Sequence, residues 1–153
     1  RLLTVTGVQT CALPIFSLEE LTASDIAQRN GLDNTPNNII VGNLNRLARL
    51  LEEVRLLLNK PIRINSGYRA PAVNALLGSK ATSQHCLGCA ADIKVDSMKP
   101  DEIVKAIVNS NIKYDQIIRE FDSWVHISVP NNEKDMPRKN ALIIDKTGTR
   151  PYA

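Results

Sequence analysis

The sequence predicts an α+β fold, with helices at the N-terminus followed by a small, mostly antiparallel sheet. Three observations predict it. Apolar residues recur at helical spacing through the first third of the chain, short alternating runs cluster after residue 61, and no stretch repeats. At 153 residues the chain is long enough for one domain that buries a core without disulfide staples.

Ser17 and Glu20 make a capping-box pattern, opening a helix that carries Leu18, Leu21 and Ile26 and stops at Gly31. A polar link containing Pro36 follows. From Ile40, apolar Leu44, Leu47, Leu51, Val54 and Leu58 come at steps of 4, 3, 4, 3 and 4, the strongest helical period in the chain and the mark of a core helix. Ile62 and Ile64 alternate with Arg63 and Asn65 in a half-buried strand that ends at Ser66-Gly67. Pro71 and Gly78 bracket a short helix. A polar loop then leads to His85, and residues 90–95 form a second strand. Pro100-Asp101-Glu102 opens an amphipathic helix through Ile103, Ile107 and Val108, with its acids at the positive end of the helix dipole. Residues 116–120 and 124–129 form two strands folded into a hairpin at Phe121-Asp122-Ser123, and 141–145 form a late strand.

Residues 1–15 (RLLTVTGVQTCALPI) carry one charge and show neither a helical nor an alternating pattern. They lack the continuous apolar stretch and the cleavage site of a signal peptide. The run 5–15 resembles a translated sequencing-library adapter. Residues 1–15 are therefore expected to be an artefact or a disordered leader, and 16–153 to form a single domain. Leaving out that segment, with Arg1 and Cys11, lowers the net charge from +3 to +2 and leaves two of the three cysteines, Cys86 and Cys89. No cluster of basic residues is present and aromatic residues make up only 4% of the chain, which excludes a nucleic-acid partner. No apolar run approaches the roughly 18 residues of a membrane-spanning helix.

The two histidines, His85 and His126, each sit beside a predicted strand. Asp92 follows His85 by seven positions across a loop containing Gly88, so the two side chains converge if the chain turns at Gly88. Two imidazoles and one carboxylate suit a catalytic zinc, because this donor set leaves the ion Lewis-acidic and a fourth position open. Taken alone, the pattern also fits a surface histidine and a strand-capping aspartate.

The surroundings narrow the choice. The stretch 64–95, INSGYRAPAVNALLGSKATSQHCLGCAADIKV, resembles the zinc D-Ala-D-Ala carboxypeptidase family, which includes phage L-alanyl-D-glutamate endolysins and shares its metal site with the Hedgehog fold. The matching pieces are Ser66-Gly67-Tyr68-Arg69, Ser83 and His85, Gly88, Ala91-Asp92-Ile93 and Trp124-Val125-His126, and the resemblance runs from about Phe16 to Val129. It implies a Hedgehog/DD-peptidase-like fold, Zn2+ as cofactor, and His85, Asp92 and His126 as metal ligands. Arg69 matches the arginine that holds or polarises a substrate carbonyl or carboxylate, for which a planar fork is suited. Better-known members carry a glutamate three residues before the last histidine ligand, where this chain has Ser123. Glu120 resembles the branch in which an Ile-x-Glu strand precedes Trp-Val-His. Six extended residues would hold Glu120 about 20 Å from His126, so its role as general base requires the hairpin turn. Asp122 as base, and Glu120 as a plain strand residue, stay open.

The resemblance implies a zinc metallopeptidase, of D,D-carboxypeptidase or L,D-endopeptidase type, acting on peptidoglycan stem peptides in phage or prophage lysis or in cell-wall remodelling. It would act as a monomer, be made in a bacterial cytoplasm and work in the periplasm or wall. Two other readings remain: a non-catalytic, zinc-stabilised module that binds cell-wall peptide, and a thiol-redox protein using Cys86 and Cys89.

Overall fold

The helical period that begins at Ile40 becomes α3 (Asn38–Leu58), opened by the Asn37 side chain, which accepts the Ile40 N–H. Leu44, Leu47, Leu51 and Val54 are fully buried along one stripe of this helix, while Ile39 and Leu56 on the other side are three-quarters exposed. The structure, a computed structural model, describes residues 15–153. Apart from Ile15, the expectation for residues 1–15 lies outside the described residues.

The predicted first helix is two helices, α1 (Leu18–Thr22) and α2 (Asp25–Arg29). Ser17 Oγ accepts the Glu20 N–H at 3.1 Å, as a cap should. Ser24 does the same for Ala27 at 3.1 Å, so a second helix begins there. The strands are β1 (Arg63–Ser66), β2 (Ala90–Lys94), β3 (Gln116–Glu120), β4 (Trp124–Ser128), β5 (Asn140–Asp145) and β6 (Gly148–Pro151), with α4 (Pro71–Leu76) after β1 and α5 (Pro100–Val108) after β2. They form one sheet in the order β1-β2-β4-β3-β5-β6. Every pair is antiparallel except β3 with β5, which is parallel. The architecture is α+β, as predicted. The last strand, β6, was not expected; all four of its residues are exposed, so it carries no alternation to detect.

Alternation across the three central strands gives the sheet two chemically different faces. Ala91 and Ile93 of β2, Val125 and Ile127 of β4 and Ile117 of β3 are fully buried in the core with α3 and with Ile103 and Ile107 of α5. The residues between them face the other way. Asp92 is paired with His126, His126 with Ile118, and Trp124 with Glu120, which sets these side chains on one face. The expected β3–β4 turn is present. Phe121 and Asp122 adopt left-handed φ values of 49° and 51°, and Ser123 N–H closes the turn on the Glu120 carbonyl at 2.9 Å.

Candidate metal centre

The polar face of the sheet floors a cleft of about 1200 Å³. Its floor includes Asp92, Gln116, Ile118, Glu120, Trp124 and His126, one side carries Arg69, Lys80 and His85, and another the 130–138 loop. His85 comes from a one-turn 3-10 helix (Gln84–Leu87) that Ser83 caps by accepting the His85 N–H at 3.3 Å. This helix ends at Gly88, whose φ of +71° is left-handed and whose missing Cβ leaves room for Ile40 and Leu44 of α3. The chain then turns into β2, so that Asp92 comes back beside His85. The turn expected at Gly88 is the one observed.

His85, Asp92 and His126 are each at least nine-tenths buried, and one donor atom from each lies within 4.8 Å of the others. Asp92 Oδ1 sits 3.3 Å from His85 Nε2 and 3.2 Å from His126 Nδ1. The two rings meet edge to face, with centroids 5.1 Å apart. His85 Nδ1 lies 2.8 Å from the Gly67 carbonyl oxygen, an acceptor only, so Nδ1 carries the proton and donates. In a neutral ring, Nε2 is then left with a lone pair facing the lone pairs of Asp92 Oδ1. Two buried acceptors this close need a proton or a cation between them. Two nitrogens and a carboxylate oxygen form a donor set that zinc favours, and the Nδ1 contact to a carbonyl is the usual outer support of a zinc-binding histidine. The residues therefore fit the ion that the resemblance implies.

The other Asp92 oxygen is also held. Arg69 Nη2 donates to Asp92 Oδ2 at 2.9 Å, Arg69 Nε to Ser66 Oγ at 3.0 Å, and Arg69 Nη1 reaches Ser79 Oγ at 3.4 Å. The side chain is only 12% exposed, and these bonds leave two of the five guanidinium N–H groups without a protein acceptor among the described residues. Burial alone would raise the Asp92 carboxyl, but hydrogen bonds and charge from His126 and His85 in their protonated forms outweigh it and hold Asp92 well below the carboxylate range.

Glu120 lies across β3–β4 from Trp124 and lines the same cleft as His126. Burial, and second the charge of Asp92, push its carboxyl above the ordinary range, against weaker opposing pulls from the charges of His126 and Arg69. Trp124 Nε1 is buried and closes no hydrogen bond among the described residues. Asp122, the other candidate base, has a side chain three-quarters exposed, pairs with Arg119 at 3.6 Å and does not line the cleft. Cys86 and Cys89 are free thiols outside the donor cluster. Burial pushes both thiols up, the reverse of what thiolate chemistry needs.

Gly67 is the site residue to which the sequence reading assigned no part. A Cβ there would run into the backbone carbonyl of Leu21, whose oxygen accepts the Tyr68 N–H at 2.8 Å. Only glycine lets the end of β1 pass this close to α1 while its own carbonyl supports His85. The signal was present, since Gly67 sits inside the Ser-Gly-Tyr-Arg motif, but a backbone acceptor has no side chain to reveal it.

No curated protein matches the chain. The family model described as Peptidase M15 matches residues 14–128, from just before α1 to the end of β4, and so takes in His85, Asp92, Glu120 and His126. A match over most of the chain, on a fold that brings a His-Asp-His donor set into one cleft, places this protein in the Peptidase M15 family of zinc peptidases.

Proposed function

We propose that the protein is a zinc-dependent peptidase that hydrolyses one peptide bond in peptidoglycan stem peptides, as a carboxypeptidase or an endolysin-like endopeptidase, with residues 16–153 as its single domain. The observation that carries this reading is the convergence of His85 Nε2, Asp92 Oδ1 and His126 Nδ1 in the cleft that also holds Glu120. His85, Asp92 and His126 would hold the zinc. The bound ion supplies a Lewis-acidic charge that polarises a carbonyl and acidifies water.

The chain's own groups then have separable tasks. Gly67 and Arg69 orient His85 and Asp92 from outside the donor set. The Glu120 carboxylate accepts a proton from the attacking water and returns it to the amide nitrogen of the leaving group; a carboxyl raised by burial is suited to both steps. The two uncommitted N–H groups of Arg69 would donate to the substrate carbonyl oxygen as negative charge develops on it. The setting we infer is a bacterial cell wall, reached during phage or prophage lysis or in remodelling, by a protein acting as a monomer.

The test combines metal analysis with mass spectrometry of peptides released from purified peptidoglycan. The parent protein should hold one zinc and release a defined stem-peptide fragment. Glu120→Ala should keep its zinc and lose release by about 10²-fold or more. Release by Glu120→Ala at the parental rate would remove Glu120 from the mechanism. No release by the zinc-loaded parent would point to a module that binds wall peptide without cutting it.

A further inference from the structure

The family match ends at residue 128, but the cleft does not. One wall is built by the 130–138 loop, and it contains an arginine that the proposed chemistry does not use. Arg138 is fixed along one edge only. Its Nε donates to Asp115 Oδ1 and Oδ2 at 3.0 and 3.1 Å, its Nη2 to Asp115 Oδ2 at 2.6 Å, and its backbone N–H to Oδ1 at 3.2 Å. Among the described residues Nη1 has no acceptor, and the side chain is 57% exposed where it lines the cleft.

Asp115, by contrast, is 3% exposed. It is a buried anchor at the cleft's edge that sets the plane of the guanidinium. Gln84, the neighbour of His85, reaches the same anchor: its Nε2 lies 3.1 Å from Asp115 Oδ2, 2.8 Å from Asn131 Oδ1 and 3.2 Å from the Val129 carbonyl. The loop wall is thereby tied to the turn that carries His85. Arg69, on another side of the cleft, is 12% exposed and turned onto Asp92. Of these two guanidinium forks, Arg138 is the more exposed, and its free edge is not needed at the reacting carbonyl.

We infer that Arg138 is a specificity-determining residue whose free guanidinium edge binds a carboxylate of the peptide substrate, away from the bond that is cut. This rests on the peptidase reading above. A planar fork with a pre-set plane matches a carboxylate, and half of its edge is already oriented by Asp115, so little side-chain freedom is lost on binding. The register sets the scale. Ile118 faces His126, and Asp115 lies three residues earlier, about 10 Å along the strand. Two or three residues of extended peptide cover that span, so the carboxylate is one that close to the bond cut.

The test uses a synthetic stem peptide with free carboxylates and versions in which the internal carboxylate or the C-terminal carboxylate is replaced by an amide. Binding is measured calorimetrically on zinc-loaded Glu120→Ala protein, and cleavage on the parent. One of the two amides should weaken binding to Glu120→Ala about tenfold and raise KM in the parent with little change in kcat; which one identifies the carboxylate read. In an Arg138→Gln background the acid and amide peptides should bind equally. Should that variant fail to fold, with Asp115 left buried and unpaired, Arg138→Lys keeps the pair but loses the fork and should lose most of the discrimination. Equal binding of all three peptides before any change at Arg138, or discrimination that survives in both variants, would overturn the inference. Binding without cleavage by the parent would instead count against the peptidase reading while leaving the carboxylate site standing.

Discussion

His85 owes its usable nitrogen to a backbone atom. Because the Gly67 carbonyl accepts the hydrogen bond from Nδ1–H, Nε2 is the atom presented to Asp92. Gly67→Ala forces a Cβ against the Leu21 carbonyl and moves that acceptor. We expect zinc affinity to fall about 10- to 100-fold in competition with a chelating dye, with helix content unchanged. Asp115 gives a second expectation at this scale. Burial would raise its carboxyl, but hydrogen bonds from Arg138 and Gln84 outweigh this and hold it below the ordinary aspartate value. A depressed native pKa means stability that is present above the unfolded value of about 3.9 and is lost as pH falls through the native one. Urea unfolding of the parent should therefore weaken from about pH 5 downward, and Asp115→Asn should flatten that slope while lowering stability at neutral pH. His85, Asp92 and His126 were legible in the sequence because their side chains are the chemistry. Gly67, Gln84 and Asp115 were not, because they act on the site through hydrogen bonds whose partners lie 18, 31 and 23 positions away.

The helix α3 and the β3–β4 hairpin show how far periodicity carries at the level of elements. The 3-4 spacing of Leu44, Leu47, Leu51 and Val54 marks the face that the structure buries. Leu47→Ala should cost about 2–5 kcal/mol in chemical denaturation, whereas Leu56→Ala on the exposed side should stay within roughly 0.5 kcal/mol. In the hairpin, alternation together with the turn at 121–123 settles which residues share the cleft face. A slip of one residue would put Arg119 in the cleft in place of Glu120 and turn the Glu120 carboxylate toward the core side of the sheet. Three features escaped the sequence reading for physical reasons. Ser24 divides the first helix with a cap that resembles an ordinary helix-interior serine in sequence. The β6 strand is exposed throughout, so no apolar face marks it. The parallel pairing of β5 with β3 is a choice of partner, and strand patterning encodes partners only weakly.

On the scale of the whole molecule the donor cluster joins segments distant in sequence: Gly67 and His85 after β1, Asp92 in β2 and His126 in β4. A metal that binds the native state alone adds stability by mass action, about 2.7 kcal/mol when free metal is a hundredfold above Kd. Chelation should therefore lower the thermal midpoint of the parent, and His126→Ala should show no such dependence. Fold class and the order of most elements could be read in advance because each follows from a local pattern. The cleft wall at 130–138 could not, since its place depends on Asp115, Gln84 and Asn131 meeting in three dimensions. The interleaved strand order has a kinetic consequence as well. Asp92 and His126 become neighbours only when β2 and β4, 34 positions apart at that pair, have found each other, so the donor set is absent from any early, locally ordered chain. Zinc should then leave the refolding rate nearly untouched and slow unfolding instead, acting as a brake on the finished molecule rather than a template for making it.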